Sequence, residues 1–283
     1  MENAELIDQE LERIALSIGI PPCPSILLLL AAEAKKDEPN LLRVEELVSQ
    51  DVGLSAALLK TVNSPIYHLN NKIGTVRQAV DLLGLTMLTH TVSTLIVKQV
   101  FSGKDSINME RFWDSSSKLA MAASLIARRV HGISGELAYT YGLFQNCGIP
   151  ILMQRFPDYK QTLNEANNSP DRKFTEIEEA AHGTDHATIG YLLTKSWNLP
   201  IAVSHAMRFH HDYAILAEDQ SMHPPESCSL IALGLLADHA VQLHFGQNFS
   251  LEWQKGGALA LQHFGLSEPE FEEIVEDEMH LLT

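Results

Sequence analysis

Hydrophobic residues recur at three- and four-residue spacing along almost the whole chain, and no stretch alternates apolar and polar positions between hairpin turns. That pattern predicts an all-α protein. Leu6, Ile7, Leu11, Ile14 and Ala15 form the stripe of a first helix, which Pro21, Pro22 and Pro24 stop before a second begins near Ser25. Three helix starts are written as capping boxes, Thr75 with Gln78, Thr175 with Glu178 and Ser267 with Glu270, because each pair can satisfy backbone N–H groups left open in a first turn. An apolar helix over Leu85 to Val100 is followed by the polar, turn-rich stretch Phe101 to Glu110, and the next helix is expected near Arg111. This break predicts two helical subdomains, residues 1–107 and residues 108–283, the second including the C-terminal helices. Further loops are expected over Asn167 to Lys173 and Glu218 to Ser227. At the end of the chain Phe271, Ile274, Val275 and Met279 share one face of a helix whose other face is acidic.

Charge narrows the choice of partners. The 283 residues carry 36 acidic and 20 basic side chains, a formal charge of -16, which repels nucleic acid and anionic membrane surfaces. The best basic pair, Arg128 with Arg129, stands isolated. A nucleic-acid partner is therefore not expected, and neither is a membrane one, the longest apolar run, Ile26 to Ala32, being also too short to span a bilayer. The three cysteines, Cys23, Cys147 and Cys228, are widely spaced and fit neither a disulfide framework nor a Cys-x-x-Cys metal site. The expected compartment is the cytoplasm.

Candidate chemistry lies in the second half, where most of the 13 histidines crowd. His182, His186, His205, His210 and His211, with Asp238, supply enough imidazole and carboxylate for one divalent metal if the fold gathers them. Local pattern argues against the pair His182 and His186 alone, because Gly183 reads as a helix C-cap and Asp185 as the start of the next helix. His210 and His211 sit near the end of a helix running from about Pro200, where the helix dipole favours a protonated imidazole in a capping role. His205, near Met207 and Phe209, reads equally as a core histidine. The serines of Asp114 to Lys118 lack the strand-to-helix turn of a serine nucleophile and read as packing or back-bonding residues. Cys147, among Leu143, Phe144 and Ile149, reads as a small buried hydrophobe. Gln145 and Asn146 put two neutral amides at the end of a helix, just before Gly148 and Pro150.

The segment Glu46 to Leu95 resembles the HDOD family, a branch of the HD-domain helical superfamily found mostly in bacterial signalling proteins. The matching features are the Ser-Gln-Asp turn ending at Asp51, the stripe Leu54, Leu58 and Leu59, the helix end Asn63-Ser64 with Tyr67, Ile73, Ala79 and Leu83-Gly84. The likeness runs on to about Tyr213. It implies an N-terminal helical subdomain packed on an HD-like helical bundle. HD phosphohydrolases bind metal through a histidine, an adjacent His-Asp pair, later histidines and a final aspartate. By resemblance these positions fall on Ser115, on Gln145-Asn146, on His186 and His210, and on Asp238. The implied pocket is therefore a relic without the central dyad, because neutral amides replace an anion and an imidazole that would hold cations.

Two functions follow as expectations. The first is a non-catalytic signalling scaffold that binds a protein partner or a small regulatory ligand, without a cofactor, in a groove between the subdomains or over the relic pocket. The second is a metal-dependent phosphohydrolase with a rearranged site carrying one divalent metal.

Overall fold

The computed structural model describes residues 18–64, 72–101, 106–217, 223–246 and 251–282, and no strand occurs among them. The expected first helix over Leu6 to Ala15 and the expected Tyr67 contact lie outside the described residues. Chain contacts divide the molecule into two compact units. One spans Pro22–Lys104; the other runs from Asp105 onward and takes in the described residues before Pro22. Residues 18–21 thus attach to the later unit, where the Pro21 carbonyl accepts the indole N–H of Trp197 at 2.8 Å. The division falls inside the polar stretch Phe101 to Glu110.

The first unit contains α1 (Ser25–Ala34), α2 (Leu41–Ser49), α3 (Val52–Val62) and α4 (Val76–Val100). Leu30, Val44, Leu47, Leu54, Leu58, Ala79 and Leu88 interlock in its core. The leucine stripe expected on α3 is thus the buried face at Leu54 and Leu58. α4 begins as its cap predicts, with Thr75 accepting from the Gln78 backbone N–H at 3.2 Å, while the Gln78 side chain reaches the N–H of Gly74 at 2.8 Å. Gly84 breaks α4 into two helical stretches with φ of 67°, a left-handed conformation that a residue with a Cβ resists. Asn63 acts as a clasp. Its amide donates to the carbonyls of Leu59 at 2.7 Å and Ile73 at 2.8 Å, and accepts from the Ile73 N–H at 2.8 Å.

The second unit contains α5 (Ser106–Ile126), α6 (Gly135–Phe144), α7 (Gly148–Arg155), α8 (Tyr159–Asn167), α9 (Phe174–His182), α10 (His186–Ser196), α11 (Ile201–Phe209), α12 (Pro225–Phe245), α13 (Glu252–Phe264) and α14 (Glu268–Met279). α5 starts at Ser106, earlier than the expected start near Arg111, so part of the polar stretch is helical. Ser116 and Ser117 bond back to the carbonyls of Phe112 and Trp113, as expected of helical serines. Arg129 lies just past α5 and pairs with Asp277 and Glu278 of α14, each at 3.2 Å. Phe271, Ile274, Val275 and Met279 form the buried face of α14. Ser267 and Glu270 form the expected capping box, with the Ser267 N–H donating to the Glu270 carboxylate at 2.8 Å.

Two helices, Val76–Val100 and Pro225–Phe245, have the length and apolar composition of a membrane span. Each is also the helix on which several neighbours in its own unit pack: α4 meets α1, α2 and α3, and α12 meets α5, α11 and α13.

One glycine contact fixes the region that later holds the site. A Cβ built on Gly148, at the start of α7, would lie 2.1 Å from the carbonyl oxygen of His186, at the start of α10. The two helix starts therefore touch backbone to backbone. Gly148→Ala is expected to cost about 1–3 kcal/mol or more of stability, because neither contacting group is a movable side chain tip; chemical denaturation measures it. Asn63→Ala is expected to lower protection of residues 22–104 by about 1–3 kcal/mol, since the Ile73 N–H and two carbonyls lose their partner. Amide hydrogen exchange resolved by residue tests this.

Candidate functional site

The helix break over His182 to His186 forms as the sequence predicts. Gly183 ends α9 with φ of 71°, and the Asp185 carboxylate caps α10 by accepting the Thr188 N–H at 2.8 Å. His182 and His186 consequently part company. His182 shares a hydrogen bond with Thr162 at 2.8 Å and stacks on Phe156, so it takes no part in a cluster with His186.

His186 instead meets His210 and His211, which follow α11. The His186 Nε2 lies 3.0 Å from the His210 Nε2 and 3.2 Å from the His211 Nε2. This is the group of three metal-capable side chains found among the described residues. His186 and His210 are buried, and His211 is partly open.

The other nitrogen of each ring explains the arrangement. His186 Nδ1 donates to Glu178 at 2.6 Å, His210 Nδ1 donates to the Met207 carbonyl at 2.8 Å, and His211 Nδ1 donates to Glu252 at 2.7 Å. Every Nδ1 thus holds its proton against an oxygen, which leaves each Nε2 lone pair aimed at the same small volume. The separations of 3.0 and 3.2 Å suit a shared cation: ligand nitrogens about 2.05 Å from one tetrahedral ion stand about 3.3 Å apart. Three imidazoles whose ligand atoms all lie within 4.8 Å of one another, with carboxylate and carbonyl groups behind them, fit a divalent transition metal in donor type and outer support.

The expected capping box of Thr175 with Glu178 does not form. α9 starts two residues earlier than that cap requires, at Phe174 with Lys173 as its N-cap, and the Glu176 carboxylate takes the Lys173 N–H at 3.3 Å. Glu178 faces inward and is fully buried. It accepts from the Tyr159 hydroxyl, from the His186 N–H at 3.1 Å and from His186 Nδ1 at 2.6 Å. Burial opposes charge on this carboxyl, yet His186 and Tyr159 hold it below its ordinary range. Burial also opposes a charge on His186, but Glu178 and Asp185 outweigh it and raise that imidazole. His210 is driven well below the ordinary histidine range by burial and by the neighbouring His211 and His186. His186 is thus better able than His210 to hold a proton.

Glu252 supplies the second carboxylate. Burial would raise it, yet His211, Lys255 and Tyr213 hold it down at about 2. Phe174 stacks on His211 with 4.9 Å between ring centroids and meets His186 edge-on at 5.2 Å. The cluster thus has an aromatic ring against two of its imidazoles.

The other expected residues scatter around this centre. His205 contacts His223 at 3.4 Å and Phe209, outside the trio. Asp238 accepts from Gln242 at 2.6 Å on α12, although it lies within electrostatic reach of Tyr213. Ser115 is exposed on α5. Gln145 and Asn146 are half-buried at the end of α6, and the Gln145 Oε1 is buried without a hydrogen-bond partner. That oxygen and the Tyr141 ring pack over Gly234, where a Cβ would lie 2.6 Å from each. Cys147 is fully buried, and burial pushes its thiol far above the ordinary range, as suits a packing residue.

Four contributors escaped the sequence reading: Glu178, Glu252, Tyr213 and Phe174. The signal for Glu178 was present but fitted a local cap. For the helix that carries Glu252, the usable signal was Gly256, where a Cβ would lie 2.4 Å from the Tyr213 ring.

Comparison with known proteins agrees with this architecture. A crystal structure of an HDOD domain protein of unknown function from Geobacter sulfurreducens superposes with a TM-score of 0.72 at 25% identity, over 95% of this chain and 92% of that one. An uncharacterized protein of Treponema pallidum is 27% identical over 213 residues, 73% of this chain and 41% of its own length. The Vibrio cholerae protein named cyclic di-GMP phosphodiesterase CdgJ is 28% identical over 176 residues, 59% of this chain and 40% of its own length. The chain spans about two fifths of the length of these curated relatives. The HDOD domain model matches residues 20–213, which include all three clustered histidines, and the chain belongs to the HDOD domain family.

Proposed function

We propose that the chain is a non-catalytic HDOD signalling module, a helical scaffold for a protein partner or small regulatory ligand, in which His186, His210 and His211 hold one divalent transition metal. The observation that carries the metal reading is the convergence of three Nε2 atoms whose Nδ1 partners are all engaged. Neutral imidazoles as the only direct ligands favour a borderline ion such as zinc, cobalt or nickel over magnesium or calcium. A bound ion would supply Lewis acidity at its remaining position. The chain's own part is to orient three rings, keep Nδ1 protonated and shield the centre with Phe174.

The non-catalytic reading rests on Gln145 and Asn146. Neither amide carries charge, and the Gln145 oxygen is packed over Gly234. By resemblance, a hydrolytic HD centre holds its ions with an adjacent imidazole and carboxylate, which this chain replaces by the two amides. A second reading, hydrolysis of a phosphoester, draws on the open side of His211 and on the three-imidazole set seen in some catalytic zinc sites. The activity in the name of the Vibrio cholerae relative belongs to a protein of which this chain covers 40%, and it supports this second reading only as a substrate to try.

Protein purified without chelator or metal-affinity resin is expected to bind one equivalent of cobalt(II) or zinc(II), to lose it on His186→Ala, and to leave bis(p-nitrophenyl) phosphate and cyclic di-GMP uncleaved. Elemental analysis, cobalt absorption and product chromatography read the three outcomes. Metal-dependent cleavage abolished by His186→Ala would overturn the non-catalytic reading. Wild-type protein that takes up no cobalt or zinc would overturn the metal reading.

A further inference from the structure

We infer that Glu252, contributed by α13 beyond the family-matched residues, is the positioning residue that sets His211 for cation binding, so that the C-terminal helices complete the histidine centre. This inference rests on the metal reading given above.

Both oxygens of Glu252 are committed. Oε2 accepts from His211 Nδ1 at 2.7 Å and from the Tyr213 hydroxyl at 2.7 Å, while Oε1 accepts from Lys255 at 2.8 Å. A carboxylate with three donors has little left to offer a metal directly. Its contact with Nδ1 instead selects the tautomer of His211 and turns the opposite nitrogen, Nε2, toward His186.

The surroundings hold Glu252 in that role. Gly256, one turn along α13, leaves the space that the Tyr213 ring fills, since a Cβ there would lie 2.4 Å from the ring. Lys255 also donates to the Arg172 carbonyl at 2.8 Å, just ahead of Phe174, whose ring covers His211. Glu252 and its partner Lys255 together tie the segment before α9, the segment after α11 and the start of α13 around a single imidazole. The family match ends at residue 213 and does not include it. Glu178 performs the matching task for His186 from inside the matched region.

Two measurements separate this role from simple structural support. In metal-free wild-type protein, long-range proton–nitrogen NMR is expected to show His211 protonated at Nδ1. Cobalt titration is expected to show Glu252→Ala weakened about 10- to 100-fold, with an altered absorption spectrum. Glu252→Gln, whose amide oxygen still accepts from Nδ1, is expected to stay within about 10-fold of wild type. His211 protonated at Nε2 in the wild type, or a Glu252→Ala protein with unchanged affinity and spectrum, would overturn the inference. If Glu252→Ala fails to fold by circular dichroism, the wild-type tautomer and the Glu252→Gln titration decide. Wild-type protein without cobalt affinity would sink the metal reading, and the tautomer would still report on Glu252.

Discussion

Lone pairs repel, and the histidine centre is organised around that fact. With Nε2 atoms 3.0 and 3.2 Å from the Nε2 of His186, something positive must sit among the three rings, either a proton or a metal ion. The arrangement of the three rings follows from groups outside the cluster. Glu178, the Met207 carbonyl and Glu252 each hold an Nδ1 proton, so whatever the rings share is shared through Nε2. Removing the outer acceptors would let the rings change tautomer and pair with one another.

Burying two carboxylates in a helical bundle is costly unless every oxygen finds a donor. Both do. Glu178 gathers a hydroxyl, a backbone N–H and an imidazole, and Glu252 gathers an imidazole, a hydroxyl and an ammonium. The close backbone approach of Gly148 to His186 places the first of these carboxylates' imidazole directly after the Gln145-Asn146 turn. The amide pair and the histidine trio thus belong to one region of one unit, although only the trio has the convergent lone pairs that chemistry with a cation needs.

Much of the helical frame was legible in periodicity and caps. The break at Gly183 and Asp185, the apolar face of α14 and the cap at Thr75 formed as read, because each depends on residues within one or two turns. The misreadings have the same root. Thr175 with Glu178 satisfied a local capping rule, but Glu178 answers to His186, across a helix break, and to Tyr159 on another helix. His210 does cap its helix, through Nδ1 on the Met207 carbonyl, but burial and the neighbouring histidines oppose the protonated ring that the helix dipole would favour; its second nitrogen, pointing at His186, has no signature in local pattern. His182, His205 and Asp238 share the residue types of a ligand set, yet Thr162, His223 and Gln242 engage them. Composition offered six candidates, and only the packing of α9 to α11 chose among them.

The position of Glu252 also gives the centre an order in time. His211 and Glu252 are 41 residues apart, with the whole of α12 between them. A chain growing from its N-terminus therefore exposes all three imidazoles before it has made the carboxylate that turns the last of them. A product interrupted ahead of α13 would hold every histidine of the trio and still lack the carboxylate that accepts from His211 Nδ1.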